Sequence, residues 1–484
     1  MKNLKRSTVR GVFWAYASRY SGKLLVFVST LILARLLTQQ DFGVAGYALV
    51  VIAFMDTLGG LGVGAALIYY KDEPAARDTA FMMTFVAAGA LMLLTWFAAP
   101  LVAAFFQDPR AISVIRLLSL SLPLSALGNT HFALLEKHLQ FGRKFIPDLA
   151  NAVVKGLSAI ILAYKGFGVW SLILAQLAGT TASVVCVWIV MPWRPSFVFD
   201  RQLATAQLSF GGKIIVIGLL GFFVNNLGYF LVGRVMGAAV LGVYVLALRI
   251  PRILIQDTAV VLGNVMFPVF SIIRDDPKAL ASSYLMSFRY ISLFAMPLGL
   301  GLSAVSEPFV ITFLTSRWEE MIPVLRLIAV YMLFLSLSFN SGTVYKAIGR
   351  PGLSIGLSVL RLAILLPALI WAAHGPATLE AVAWVQLGVV TIHLILNLFI
   401  ILRILGISVV RFLPAIVPAA VAGGIMYLAV SASITFLRDA TPLLQLVVST
   451  MIGGLIYCGL IWQWQHEFIK SGYRQMRSAM ATRK

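Results

Sequence analysis

The chain has 484 residues, of which 60% are apolar and only 12% charged, with a mean hydropathy of +0.93. An ordinary soluble chain carries about 25% charged residues, so this one lacks the polar side chains to cover a water-facing surface. Its two cysteines, Cys186 and Cys458, exclude a disulfide scaffold or a Cys-rich zinc site, and its net charge of +20 first raises the question of which membrane face the basic residues occupy.

The opening MKNLKRSTVR is basic, and the apolar run after it, from Gly11 to about Leu37, is too long for the ~7–15-residue core of a signal peptide. It reads as a retained first span. Further spans are predicted over 42–69, 79–106, 112–135, 147–163, 168–191, 207–235 and 240–271. The series continues over 282–304, 321–345, 352–372, 377–402, 412–434 and 442–464. Each supplies the ~20 apolar residues that a crossing needs, which makes about 14 in all. Turn-forming clusters separate them: KDEPAARD at 71–78, QDPR at 107–110, MPWRP at 191–195, RDDPK at 274–278 and GRPG at 349–352. The boundary across Gly301–Trp318 is the least determined.

With the N-terminus placed in the cytosol, the tails and loops on that side hold 22 Lys and Arg and the opposite side four: Arg110, Lys165, Arg317 and Arg438. That asymmetry predicts a multi-pass protein of the cytoplasmic membrane with both termini cytosolic. Much of the basic charge is then a topological signal, aided by anionic membrane lipids, and no nucleic acid is needed to explain it. No connection between spans exceeds about 18 residues, so there is no room for a soluble catalytic domain.

Residues 31–49 align without gaps on 230–248, with five of nineteen positions identical, among them Arg35/Arg234, Gly43/Gly242 and Val44/Val243. An even number of spans separates the copies, so both run in one direction. The expected fold is therefore an all-α polytopic membrane protein built on a parallel repeat about an axis along the membrane normal. Residues 1–206 and 207–405 form two six-helix bundles, and 406–484 adds two helices and a basic cytosolic tail.

A charge at bilayer depth costs ~2.5–3.5 kcal/mol on insertion scales. Arg35, Arg116, Arg234 and Arg326 lie within two turns of a span end and can snorkel to the interface. Eight cations lie deeper or cluster: Arg19, Lys23, Lys155, Lys213, Arg249, Arg252, Arg289 and Arg361. Only Asp56 and Asp257 stand against them, an excess of six positive charges that internal ion pairs cannot neutralise. This excess describes a cationic cavity that receives an anion. The two aspartates either bind a coupling ion, a proton or Na⁺, or pair with Arg249, Arg252 or Lys23 as structural bridges.

Other features carry less. Asn225 and Asn226 either join the cavity or hydrogen-bond across helices. His131 reads as packed rather than ligating, and Gly59–Gly64 as close helix packing, since no strand precedes it and no Lys-Ser/Thr follows. With no Walker A motif, no metal cluster and no paired acids on an outer loop, neither a cofactor nor enzymatic catalysis is expected.

Several stretches carry a family likeness: Gly11-Val12-Phe13-Trp14, then Leu33-Ala34-Arg35-Leu36-Leu37-Thr38 running into Asp41-Phe42-Gly43. Gly60-Leu61-Gly62 before Ala66-Leu67-Ile68, Phe141 after a basic turn, and Lys346-Ala347-Ile348-Gly349-Arg350-Pro351 complete it. Through these the chain resembles the polysaccharide exporters of the multidrug/oligosaccharidyl-lipid/polysaccharide superfamily, especially flippases of the lipopolysaccharide and colanic-acid type. The resemblance implies a V of two six-helix bundles, alternating access, and a lumen that accepts an undecaprenyl-pyrophosphate-linked oligosaccharide. A polysaccharide polymerase and a chain-length regulator would be its partners. The turn at Glu136-Lys137-His138 departs from the family's usual basic residue and receives no role. The competing readings are a lipid II flippase, a multidrug antiporter, which would want an acidic cavity, and a membrane-embedded polymerase or ligase.

Overall fold

The computed structural model describes residues 22–69, 73–138, 140–196 and 198–481. Arg19 lies outside them, as does the side chain of Lys213. Every regular element among the described residues is helical. The first, α1, covers 22–36. After it come α2 (Gln39–Gly59), α3 (Val63–Tyr69), α4 (Pro74–Phe106), α5 (Arg110–Ser119), α6 (Ser121–Lys137), α7 (Phe141–Tyr164), α8 (Val169–Val190) and α9 (Arg201–Val235). The chain continues through α10 (Gly237–Pro251), α11 (Asp257–Ile272), α12 (Pro277–Ala304), α13 (Ser306–Phe313) and α14 (Met321–Ala347). It ends with α15 (Pro351–His374), α16 (Leu379–Ile404), α17 (Val409–Phe436) and α18 (Pro442–Ala481). Among the described residues 13 helical spans are long and apolar enough to cross a membrane. The predicted first span, 11–37, is described only from residue 22 onward.

Local chemistry explains the starts. Thr38 and Asp41 form a reciprocal capping box that opens α2. Asp200 and Asp276 accept from the first free backbone N–H groups of α9 and α12, and Pro74 and Pro277 sit where a helix has no amide bond to lose. Several boundaries differ from expectation, and α4 and α9 start earlier, at Pro74 and Arg201. The span predicted at 42–69 breaks between α2 and α3, where Leu61 and Gly62 adopt φ of +47° and +64°. The span predicted at 112–135 divides at Leu120 into α5 and α6. The span predicted from 147 starts at Phe141, because Pro147 inside α7 forfeits a single backbone bond and the helix runs on. Across 301–318 the chain forms α13 and a 3₁₀ turn at Ser316–Trp318, whose Trp318 is fully buried.

Among the described residues the helices gather into two compact units, residues 22–246 with 366–379 and residues 247–365 with 380–481. In the first, α7 and α8 pack so closely that a methyl group on Gly179 would lie 2.7 Å from the Lys155 Cβ. In the second, α12 packs against α14 and α17, with Gly299 on Leu333 and Gly423 on Leu300. Lipid tails are as apolar as leucine, so such helices associate through small residues and fitted contacts rather than a hydrophobic drive. Phe97, Leu101 and Phe436 point outward at 74%, 74% and 90% exposure, as lipid-facing side chains should.

Candidate functional site

Three of the intramembrane cations are held by polar side chains of neighbouring helices. In the first unit Lys155 of α7, half-buried, donates its ammonium to the Gln176 carbonyl of α8. In the second, the Arg289 Nε of α12 donates to Gln465 Oε1 of α18 at 2.9 Å. Gln465 is 2% exposed and is the residue at which α18 kinks, with φ −131° and ψ 18°. Arg361, midway along α15, is 6% exposed. Its Nη2 donates to the Tyr331 hydroxyl of α14 at 2.9 Å, and its carbon Cζ stands 6.0 Å from the centre of the Tyr331 ring. The Arg361 Nε has no hydrogen-bond partner, and among the described residues no carboxylate pairs with this guanidinium.

Arg249 is half-buried near the end of α10 and Arg252 is exposed just after it. Between them Pro251 lacks an amide hydrogen, and residues Arg252–Gln256 form a π-turn closed by the Asp257 N–H on the Arg252 carbonyl. Such one-residue insertions turn the following side chains to a new face and recur at functional sites. Lys23, half-buried in α1, Arg249 and Asp257 each engage a neighbouring group. Asp56 lies exposed on α2 and pairs with no cation among the described residues. Asn225 and Asn226 turn back onto the Gly221 and Phe222 carbonyls of their own helix, at 2.7 and 2.8 Å, instead of reaching another helix. His131 packs between Trp188 and Trp193 and donates from Nε2 to the Trp193 carbonyl at 3.2 Å. The edge arginines behave as interface groups: Arg116 caps the Trp96 carbonyl, Arg234 the Phe105 carbonyl, and Arg326 pairs with Glu307.

Charge counting missed Tyr331, Gln176 and Gln465. One signal for the glutamines was present, since a carboxamide in an apolar helix is itself costly and needs a partner.

Two backbone crossings accompany these groups in the first unit. A methyl group on Gly43 of α2 would lie 1.8 Å from the Ala238 carbonyl oxygen of α10, and one on Gly242 would lie 1.9 Å from the Gln39 carbonyl oxygen. The pair aligned in the sequence repeat thus meets face to face. At the other end of the span, Gly62 and Gly211 touch in the same way: a methyl group on Gly211 of α9 would lie 1.9 Å from the Leu61 carbonyl oxygen. The glycine-rich stretch is therefore a packing element. Beside the first crossing, Arg110 grips Asp108 with Nε and Nη2 at 2.9 and 2.8 Å and reaches Gln40 at 3.2 Å. Burial pushes the Asp108 carboxyl up, but hydrogen bonds from the Arg110 side chain and backbone, with its charge, outweigh this and hold it below the usual carboxylate range.

The fold is shared with solved transporters. The lipid II flippase MurJ in an inward closed conformation superposes with a TM-score of 0.76 at 15% identity, covering 94% of this chain and 99% of that one. An inward-facing multidrug-resistance MATE transporter gives 0.66 at 14% identity, covering 82% and 99%. In sequence, the succinoglycan biosynthesis transport protein ExoT of Rhizobium meliloti (strain 1021) is 26% identical over 462 residues, 94% of this chain and 93% of its own. The lipopolysaccharide biosynthesis protein WzxC of Escherichia coli (strain K12) is 24% identical over 375 residues, 76% of this chain and 75% of its own. The pattern of the polysaccharide biosynthesis protein family matches residues 32–323, more than half the length. With its all-helical membrane-spanning fold and its clasped intramembrane cations, the chain belongs to the polysaccharide biosynthesis protein family.

Proposed function

We propose that the protein is a flippase that carries an undecaprenyl-pyrophosphate-linked oligosaccharide across the cytoplasmic membrane for exopolysaccharide or lipopolysaccharide assembly, with both termini in the cytosol. The observation that carries this reading is Arg361: a mid-span guanidinium with a free Nε donor and no carboxylate among the described residues calls for an anion. A pyrophosphate meets that demand, because guanidinium groups bind phosphate oxygens bidentately and remain charged. The further candidates for contact with the anion, each within its own unit, are Lys23 and Lys155 in the first and Arg249, Arg252 and Arg289 in the second; Arg19 and Lys213 are candidates from the sequence alone. A drug antiporter that handles cations would be repelled by the same groups. The MurJ fold likeness keeps a lipid II headgroup as the second reading, since it presents the same pyrophosphate chemistry.

Work on the headgroup needs no nucleotide: each elementary charge moved through 100 mV is worth ~2.3 kcal/mol, and an anion leaving a cell that is negative inside gains it. Asp56 and Asp257 are the candidates for coupling the return step to an ion. A polymerase and a chain-length regulator would take the product on the far side.

The test is export in a null strain and flipping in liposomes. Lys23→Glu, Arg249→Glu and Arg361→Glu are expected to abolish export with normal membrane insertion, since a carboxylate repels the pyrophosphate in a low-dielectric site. Arg35→Glu at a helix end should be milder. Wild-type export from all three reversals would refute the anion-binding role of these cations. In the same liposomes, Asp56→Asn or Asp257→Asn should bind headgroup yet lose gradient dependence; normal gradient dependence in both would remove the aspartates from coupling.

A further inference from the structure

The second unit carries a cavity of about 620 Å³, within the ~300–1,000 Å³ of ligand clefts. It is lined by Leu300 of α12, Leu327 and Val330 of α14, Leu387 of α16 and Leu428 of α17. Charge stands at one end only. Arg326 is in the second turn of α14 and Glu380 in the first turn of α16, the end at which α12 finishes with Ser303 and Ala304. There Arg326 Nη2 donates to Glu307 Oε2 at 3.0 Å, with both side chains about half exposed. Trp384, 57% exposed, stands one turn in from Glu380, a depth at which aromatic rings sit at a membrane interface.

This is a greasy groove with a two-sign mouth. An anionic lipid head would meet one guanidinium and two carboxylates, and a pyrophosphate, with its denser charge, would be repelled still more. A head with both a phosphate and a primary ammonium matches both signs: the phosphate at Arg326, the ammonium donating to Glu380 and Glu307. We propose that this groove binds an ammonium-headed glycerophospholipid, one acyl chain lying along Leu300, Leu327, Leu387 and Leu428 and the head at Arg326 and Glu380. The groove is lined by none of the candidate cations of the proposed function and does not depend on which oligosaccharide the protein moves.

The full-length protein in detergent is to be mixed with phosphatidylethanolamine, phosphatidylcholine or phosphatidylglycerol and its lipid retention read by native mass spectrometry. Phosphatidylethanolamine should be retained over each of the others by about threefold, the scale of one exposed charge pair. The trimethylated head of phosphatidylcholine keeps the charge but has no N–H to donate. Glu380→Gln should erase the preference without changing the lipid-free melting temperature, and Leu327→Trp, which fills the groove, should lower retention of all three lipids. Equal retention by the wild type, an unchanged preference in Glu380→Gln, or displacement of phosphatidylethanolamine by an equimolar prenyl phosphate would each overturn the proposal.

Discussion

Asp108 is gripped twice by one arginine, through both carboxylate oxygens. Its folded pKa lies below the ordinary value, so the ionised form stabilises the fold at any pH above the unfolded carboxylate value of about 4. That contribution disappears as pH falls through the lowered folded value. Arg110→Met should therefore be less stable than wild type at pH 7, and the gap should close in strong acid, as followed by thermal unfolding in detergent. With the Arg110 side chain 56% exposed, solvent screening keeps the difference below ~1 kcal/mol. At this scale the sequence was legible for charge and blind to geometry. The excess of cations could be counted, but that Arg361 would rest on Tyr331 and Arg289 on Gln465 could not. Those pairs join residues 30 and 176 positions apart, and neither tyrosine nor glutamine announces a partner by sign.

At the scale of elements, length and hydropathy were enough to find the spans, because a crossing must satisfy its own backbone in lipid and so must be a long apolar helix. They could not find the breaks inside spans. The turn at Leu61–Gly62, the division at Leu120 and the π-turn after Pro251 all lie inside runs whose average hydropathy still reads as one span. Nor did the alignment that matches Gly43 with Gly242 foretell that the two are in contact. Gly43→Ala or Gly242→Ala drives a methyl group into a carbonyl oxygen, and neither helix has a side chain there that can yield. Each should lower the melting temperature and raise hydrogen exchange around residues 39–43, at a cost of about 1–3 kcal/mol typical of overpacking. Gly89→Ala and Gly221→Ala, whose methyl groups would meet nothing within 4 Å, should raise the melting temperature slightly, since alanine favours a helix, without raising exchange. Equal stabilisation at all four sites would show that helix propensity, not the crossing, sets the outcome.

For the molecule as a whole, the uneven loop charge makes the clearest claim. In a variant lacking Cys186 and Cys458, single cysteines at Arg143 and Lys278 should label only from the cytosol and one at Asp439 only from outside. External labelling at Arg143 would invert the topology. Loop charge is legible because the insertion machinery itself reads it along the chain. The route of a substrate depends on how helices distant in sequence face one another, and hydropathy carries no information about that.

The clasp between Arg289 and Gln465 has a consequence for acid. A carboxamide has no proton to lose and a guanidinium does not give one up in proteins, so no change of pH can dissolve this bond by neutralising a member. The bend of α18 that it holds is thus deaf to acidity. The Asp108–Arg110 grip is not, and the loop that carries it is assigned by charge to the outer face. Acidification therefore loosens the turn between α4 and α5, while the bend near the end of α18 keeps its shape.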